Sequence, residues 1–403
     1  MLGLTAIEFF VFSIGVFILL YWILPEKMNW VSMIAVVLLL SVLAYNFTPN
    51  ESDDVSRYWF EIDYMRERGH DEIDRMIEVN LYDLGTYRVC LYYFYFISKL
   101  PNNHYLPAIT IFIIYGLMLL CMYKAIKRFN VNRLYAFLGI MFFLSTYWYY
   151  DALSGIRNAL SFAIAFASAY FSLVERKNIL LCYVGYVIAA YTHSAGIMLV
   201  VLAIFTEITL NTSGKFVNFL FIVGAALGTP AASFLAERTD NKFINSIAGK
   251  AEDNAVGDIN VFGVNTGFQV NLTVLIVTVF IFFCINSYLL SNDSVNRISL
   301  KRFHKYVSFS LFFVAGTVGS VLVFYRLTRF VLPVICGLMF MIGFQLQEDM
   351  AVEEEMSLSA SYTPIKDTMR YKIKTPVILV FTIYTAVHFW YLCSGSSLTW
   401  IHF

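Results

Sequence analysis

Four groups of polar residues stand out in this apolar chain because their types and spacing suit chemistry on an anion or a sugar. The run Asp53-Asp54-Val55-Ser56-Arg57-Tyr58 sets two adjacent carboxylates beside a guanidinium and a phenol. Such carboxylates act as acid and base or hold a divalent cation, and they are equally what a solvated charged surface carries. Arg157 follows Asp151 by six residues and opens an apolar run. A planar fork of donors beside the free N–H groups of a helix start suits a pyrophosphate. The plainer alternative is an Asp151–Arg157 ion pair that closes the turn. His193 ends one apolar run and precedes Ser194-Ala195-Gly196. Histidine titrates near neutrality, so a neutral ring there would take a proton from a sugar hydroxyl; a lone histidine is more often a hydrogen-bonded packing residue. Last comes Tyr325-Arg326-Leu327-Thr328-Arg329, with two cations on one helical face. They would clamp a diphosphate together with Arg157, or snorkel toward lipid headgroups.

These groups must be positioned by membrane-length helices. The chain has 403 residues, 59% of them hydrophobic and only 14% charged, which excludes an ordinary soluble domain. The expectation is an all-α, polytopic helical bundle with about twelve spans, at 4–24, 30–47, 105–123, 134–150, 157–174, 178–192, 195–210, 216–236, 269–290, 306–325, 329–347 and 375–393. The first of these is too long and lacks the basic start and cleavage site of a signal peptide. Basic and acidic residues balance at 28 each, so no net field recruits nucleic acid. The six cysteines sit in apolar runs without a CxxC pair and read as small core residues. There is no P-loop, zinc-ligand cluster, nucleophile elbow or dinucleotide fingerprint. No cofactor and no metal site is expected, and the driving force of any reaction must arrive with the substrate.

Orientation follows from lysine and arginine in short loops. Lys124, Lys127, Arg128 and Arg133 form one cluster, Arg297, Lys301, Arg302 and Lys305 a second, and Lys366, Arg370, Lys372 and Lys374 a third. These are read as cytoplasmic, which puts Asp151, Arg157, His193, Arg326 and Arg329 on the outer face. The chain then reads as one polytopic domain, 1–403, with an exported loop at 48–104, another at 237–268 and a solvated cytoplasmic linker at 348–374. Between 48 and 85 eleven acids face four arginines, the pattern of an exported segment. Within it Val55, Tyr58, Trp59, Ile62 and Met65 mark an amphipathic helix on the membrane surface. Tyr87 to Leu100 is aromatic but too short to span, and is read as an outer interfacial or re-entrant helix.

At these residues the chain resembles the EpsG-like branch of the Wzy polysaccharide and O-antigen polymerases. The resemblance rests on the Asp- and Tyr-bearing exported loop (Asp53-Asp54 to Tyr58), on Ser154-Gly155-Ile156-Arg157-Asn158-Ala159-Leu160, on Tyr191-Thr192-His193-Ser194-Ala195 and on Tyr325-Arg326. Asn158 stands where such proteins often carry Gln. The resemblance implies a GT-C-like glycosyltransferase of the bacterial inner (cytoplasmic) membrane with its active site facing the periplasm. It would transfer a growing glycan from undecaprenyl pyrophosphate to a lipid-linked repeat unit. Arg157, Arg326 and Arg329 would bind pyrophosphate; His193, with Asp54 or Asp151, would be catalytic; Asp53, Arg57 and Tyr58 would bind sugar. Its partners would be the undecaprenyl-pyrophosphate-linked oligosaccharide, membrane lipid, a chain-length regulator and a flippase. Competing expectations are a lipid-linked oligosaccharide flippase or transporter, a ligase of the same superfamily, and a membrane acyltransferase, which would want His193 on the cytoplasmic side.

Overall fold

The computed structural model describes residues 5–51, 53–211, 266–291, 296–358, 368–394 and 398. The expected span 216–236 and all but the end of the exported loop 237–268 lie outside them. The described residues are helical throughout, with no strand. The helices are α1 (Ala6–Ile23), α2 (Asn29–Tyr45), α3 (Asp54–Arg68), α4 (His70–Val79), α5 (Arg88–Ser98), α6 (Tyr105–Phe129), α7 (Arg133–Thr146), α8 (Tyr149–Ser154), α9 (Ile156–Tyr170), α10 (Ile179–Thr192), α11 (Ser194–Ile208), α12 (Thr266–Ser291), α13 (Arg297–Gly316), α14 (Val321–Phe330), α15 (Leu332–Leu358) and α16 (Thr368–Ser394).

The chain is a polytopic membrane protein. Six helices among the described residues are long and apolar enough to cross a bilayer, or seven if the pair Val321–Phe330 and Leu332–Met350, bent by 42°, counts as one span. Apolar helices stand at nearly all the expected places, but α7, α10 and α11 have only 14, 14 and 15 residues, short of the roughly 20 that a bilayer needs. The shortening has local causes. Extended backbone at Tyr147 and Trp148 separates α7 from α8, and His193 at φ −166° breaks α10 from α11. The boundary expected at 325–329 moves as well: α13 stops at Gly316, and both arginines fall inside α14.

Burial sorts the helices by place. The window in Ile156–Glu175 is 89% buried, against 28% for Lys374–Ser394 and 33% for Ala6–Ile23. The reason is written in α9, whose Ala159, Ala163, Ala165, Ala167 and Ala169 let α6, α10 and α11 approach its backbone. Ser161 donates to the carbonyls of Ala189 (2.8 Å) and His193 (3.1 Å), which ties the α10–α11 break to this central helix. At the α7–α15 crossing Gly139 and Gly337 face each other so closely that a Cβ on Gly337 would stand 2.5 Å from the Gly139 carbonyl oxygen.

Charged residues gather at two opposite ends. At one end Arg128 pairs with Glu175 at 3.7 Å, Arg176 and Arg302 with Glu207 at 2.9 and 3.1 Å, and Lys374 with Glu348 at 3.2 Å. The loop from 48 to 104 covers the other end. There α3 does carry the expected apolar stripe, but Val55, Tyr58, Ile62 and Met65 are buried against protein, with Tyr58 against Phe94 of α5 at 4.9 Å between ring centres. The face expected to lie on the membrane is thus used in packing on α5. The expected linker 348–374 is helical at both its ends, as the last turns of α15 and the first of α16.

Candidate functional site

A cavity of about 300 Å³ opens at the loop-covered end, lined by Asp53, Asp54, Asp151, Ser154, Gly155, Asn158, Leu322, Tyr325, Arg326, Arg329 and Phe330. Three elements build it. The start of α3 brings Asp53 and Asp54, the α8–α9 turn brings Asp151 to Asn158, and α14 brings the arginines from the opposite wall. Arg329 shares a side of α14 with Arg326, three residues before it, and with Tyr325, four before it, so all three reach the cavity.

The charges in this cavity differ in how much of each is already used. Arg329 is ion-paired with Asp151 and packed by its guanidinium over Trp148 and Tyr325, 3.9 and 4.7 Å from the ring centres. It also reaches Asn271 of α12 at 3.4 Å. The expected alternative, an Asp151–Arg157 pair closing the turn, does not form: the partner of Asp151 comes from α14, 178 residues away in sequence. Burial pushes the Asp151 carboxyl above the ordinary aspartate range, Arg329 pulls it back and Asp53 adds to the rise. Asp53 is buried and accepts hydrogen bonds from the Tyr150 hydroxyl (2.8 Å) and the Asn50 backbone amide (2.9 Å), so it fastens the 48–104 loop to α8.

Two charges remain open. Asp54 is exposed and has only a loose contact with Arg57, at 3.8 Å. Arg326 is half-buried on the cavity wall and, among the described residues, makes no hydrogen bond or ion pair. A cation in that state favours an anionic guest, because its desolvation is offset only in part, by the field of Asp54 across the cavity.

Arg157 and His193, the two residues most conspicuous in the sequence, are absent from the cavity lining. The Arg157 guanidinium lies over the Tyr58 ring, 4.9 Å from its centre, and its Nη1 donates to the Tyr82 carbonyl at 2.8 Å. Tyr82 is left-handed at φ 50°, flanked by Asn80 at 49° and Asp83 at 61°. Such a backbone costs roughly 1 kcal/mol at a bulky residue, and Arg157 holds it in place. Arg157 therefore mounts the 48–104 layer on the bundle. His193 is 5% exposed, stacks on Tyr87 at 5.5 Å and accepts the Ala195 amide on Nδ1 at 3.1 Å as the cap of α11. Tyr58 is buried beneath Arg157 and the exposed Arg57 is absent from the lining, so of the three residues expected at sugar only Asp53 lines the cavity.

Asn158 belongs to the cavity and carries a buried side-chain oxygen with no partner among the described residues. Its signals in the sequence were its position beside Arg157 at the start of a helix and its place where the resembled proteins often carry Gln. Trp148, which with Tyr325 walls in Arg329, gave no signal beyond aromatic content, whereas Tyr325 was marked by the Tyr325-Arg326 pair. Among the described residues no group of three His, Cys, Asp or Glu could hold a metal ion.

The EpsG family model matches residues 90–401, most of the chain. The protein belongs to the EpsG family. No curated protein and no solved structure matches it. Membership suggests a glycosyltransferase-like, polysaccharide-polymerase type of bacterial multi-pass membrane protein. The matched region of this EpsG-family chain contains Asp151, Arg157, Asn158, His193, Arg326 and Arg329, while Asp53, Asp54, Arg57 and Tyr58 precede it.

Proposed function

We propose that the protein polymerises lipid-linked oligosaccharide repeat units, moving a growing glycan from undecaprenyl pyrophosphate to a hydroxyl of a second lipid-linked unit at the outer face of the bacterial inner membrane. The observation that carries this reading is Arg326, a cation on the cavity wall with no hydrogen-bond or ion-pair partner among the described residues. The family supports polysaccharide chemistry in general, and a lipid pyrophosphate leaving group needs no nucleotide or redox motif.

In this mechanism Arg326 holds the donor pyrophosphate through its fork, and Arg329, steadied by Trp148, Tyr325 and Asp151, supplies a second, partly neutralised cation. Asp54 takes the proton from the acceptor hydroxyl. The acceptor oxygen bonds to the anomeric carbon, the carbon–oxygen bond to phosphate breaks, and its electron pair leaves on the pyrophosphate. Charge grows on that group as the bond opens, so a preorganised guanidinium lowers the barrier. Asp53 and Asn158, which line the same cavity, bind a sugar hydroxyl in this mechanism.

His193 is a poor base in this arrangement. With Nδ1 accepting from the Ala195 amide, the neutral ring carries its proton on Nε2 and has no second lone pair to offer. The test is the ladder of polymer lengths in cells that carry correctly inserted variants. Arg326→Ala and Asp54→Asn should each abolish long chains, and Arg326→Lys should fail too, because a point charge does not reproduce the fork. A wild-type ladder from Arg326→Ala overturns the reading.

A further inference from the structure

A second concavity, of about 420 Å³, lies between α2 and α6 and is lined by Trp30, Met33, Val37, Phe112, Gly116 and Tyr123, among others. Nothing in it is charged, and its size falls within the roughly 300–1,000 Å³ of ligand sites. The floor is open at Gly116, where an added Cβ would meet nothing within 4 Å. The groove runs toward the end of the molecule opposite Arg326. Trp30 opens α2 and Tyr123 sits in the last turns of α6, while Asp53 follows the far end of α2.

The rim of the groove is basic. Lys27 stands three residues before Trp30, and Lys124 and Lys127 follow Tyr123, with the Lys127 ammonium 5.8 Å from the Tyr123 ring centre. Lys27 and Lys127 are exposed, and none of the three lysines has an acidic partner within ion-pair distance among the described residues. Their neighbours Arg128 and Arg133 are occupied, with Glu175 and with the Leu24 carbonyl at 2.9 Å. Trp and Tyr at the level of the headgroups, lysines just beyond them and an apolar channel with a glycine floor form the complement of one amphiphile: a negatively charged headgroup over an acyl chain.

We propose that this groove is a binding site for an anionic phospholipid of the leaflet opposite the Arg326 cavity, with an acyl chain against Gly116 and the phosphate on Lys27, Lys124 and Lys127. Bulk lipid would wet the same surface without preference for headgroup. The polyprenyl donor is a different occupant, because its pyrophosphate would have to reach Arg326 at the other end. The site is independent of the reaction proposed above.

The experiment uses the purified full-length protein in detergent. Phosphatidylglycerol or phosphatidylcholine is added at matched mole fraction, and retained lipid is counted by native mass spectrometry alongside the thermal melting point. Wild type should retain phosphatidylglycerol and melt higher with it than with phosphatidylcholine. Lys124→Gln with Lys127→Gln should weaken phosphatidylglycerol retention about tenfold, and Gly116→Leu should displace either lipid by filling the channel. Arg326→Ala should leave retention unchanged. Equal retention of the two lipids by wild type, or wild-type retention in the doubly substituted lysine variant, overturns the proposal whether or not Gly116→Leu folds.

Discussion

At the scale of single residues, rarity in an apolar chain identified the polar groups but not their jobs. Arg157 and His193 are conspicuous because intramembrane ionisable residues are costly, yet a guanidinium that braces the Tyr82 carbonyl and a ring that caps α11 meet that cost as well as a substrate would. Only the cavity separates them from Arg326, whose sequence context, an arginine one helical turn from another, looks no different. Partner choice was likewise invisible: the partner of Asp151 lies 178 residues on. The cap assignment has its own test. An Asn side-chain oxygen can accept the amide that Nδ1 now accepts, so His193→Asn should polymerise nearly as wild type, while His193→Ala should lose about 1 kcal/mol of stability, read as a lower melting point. A folded His193→Asn protein that makes no polymer would return the base role to His193.

At the scale of elements, hydrophobic runs located the helices because a membrane helix is legible in one dimension. The breaks were not. The stops at Thr146, Thr192 and Gly316 and the 42° bend before Leu332 occur inside apolar stretches, where neighbouring helices set the geometry and hydropathy does not change. The surface helix shows the same limit. Its stripe at Val55, Ile62 and Met65 was read correctly as apolar, but periodicity does not distinguish a lipid surface from α5 as the partner. Close crossings are equally silent, since glycine also stands where no neighbour approaches, as at Gly15 and Gly116. Gly337→Ala would drive a methyl group into the Gly139 carbonyl and should cost about 1–3 kcal/mol. Gly15→Ala, where a Cβ meets nothing within 4 Å, should not. Thermal unfolding in detergent compares the two, and equal melting points would contradict the close α7–α15 contact.

At the scale of the whole molecule, charge placement carried the most information. The clusters at 124–133, 297–305 and 374 gather at one end with Glu175, Glu207 and Glu348, and the cavity opens at the other. The proposal puts the cavity end outside. In intact cells an impermeant maleimide should then label Glu67→Cys, an exposed position on α3, and should label Lys127→Cys only after permeabilisation; the reverse pattern would place the cavity in the cytoplasm and favour acyl transfer. Both ends are needed for the account, because the donor pyrophosphate must meet Arg326 on the side where the polymer is built. The most direct measurement is the initial rate of polymer formation by the purified protein in liposomes supplied with a polyprenyl-pyrophosphate-linked repeat unit. Arg326→Ala should lower that rate about 10²–10³-fold with Arg326→Lys no better, whereas Arg57→Ala, which alters a side chain outside the cavity lining, should stay near wild type. Wild-type turnover from Arg326→Ala would show that the cavity is not where the pyrophosphate leaves.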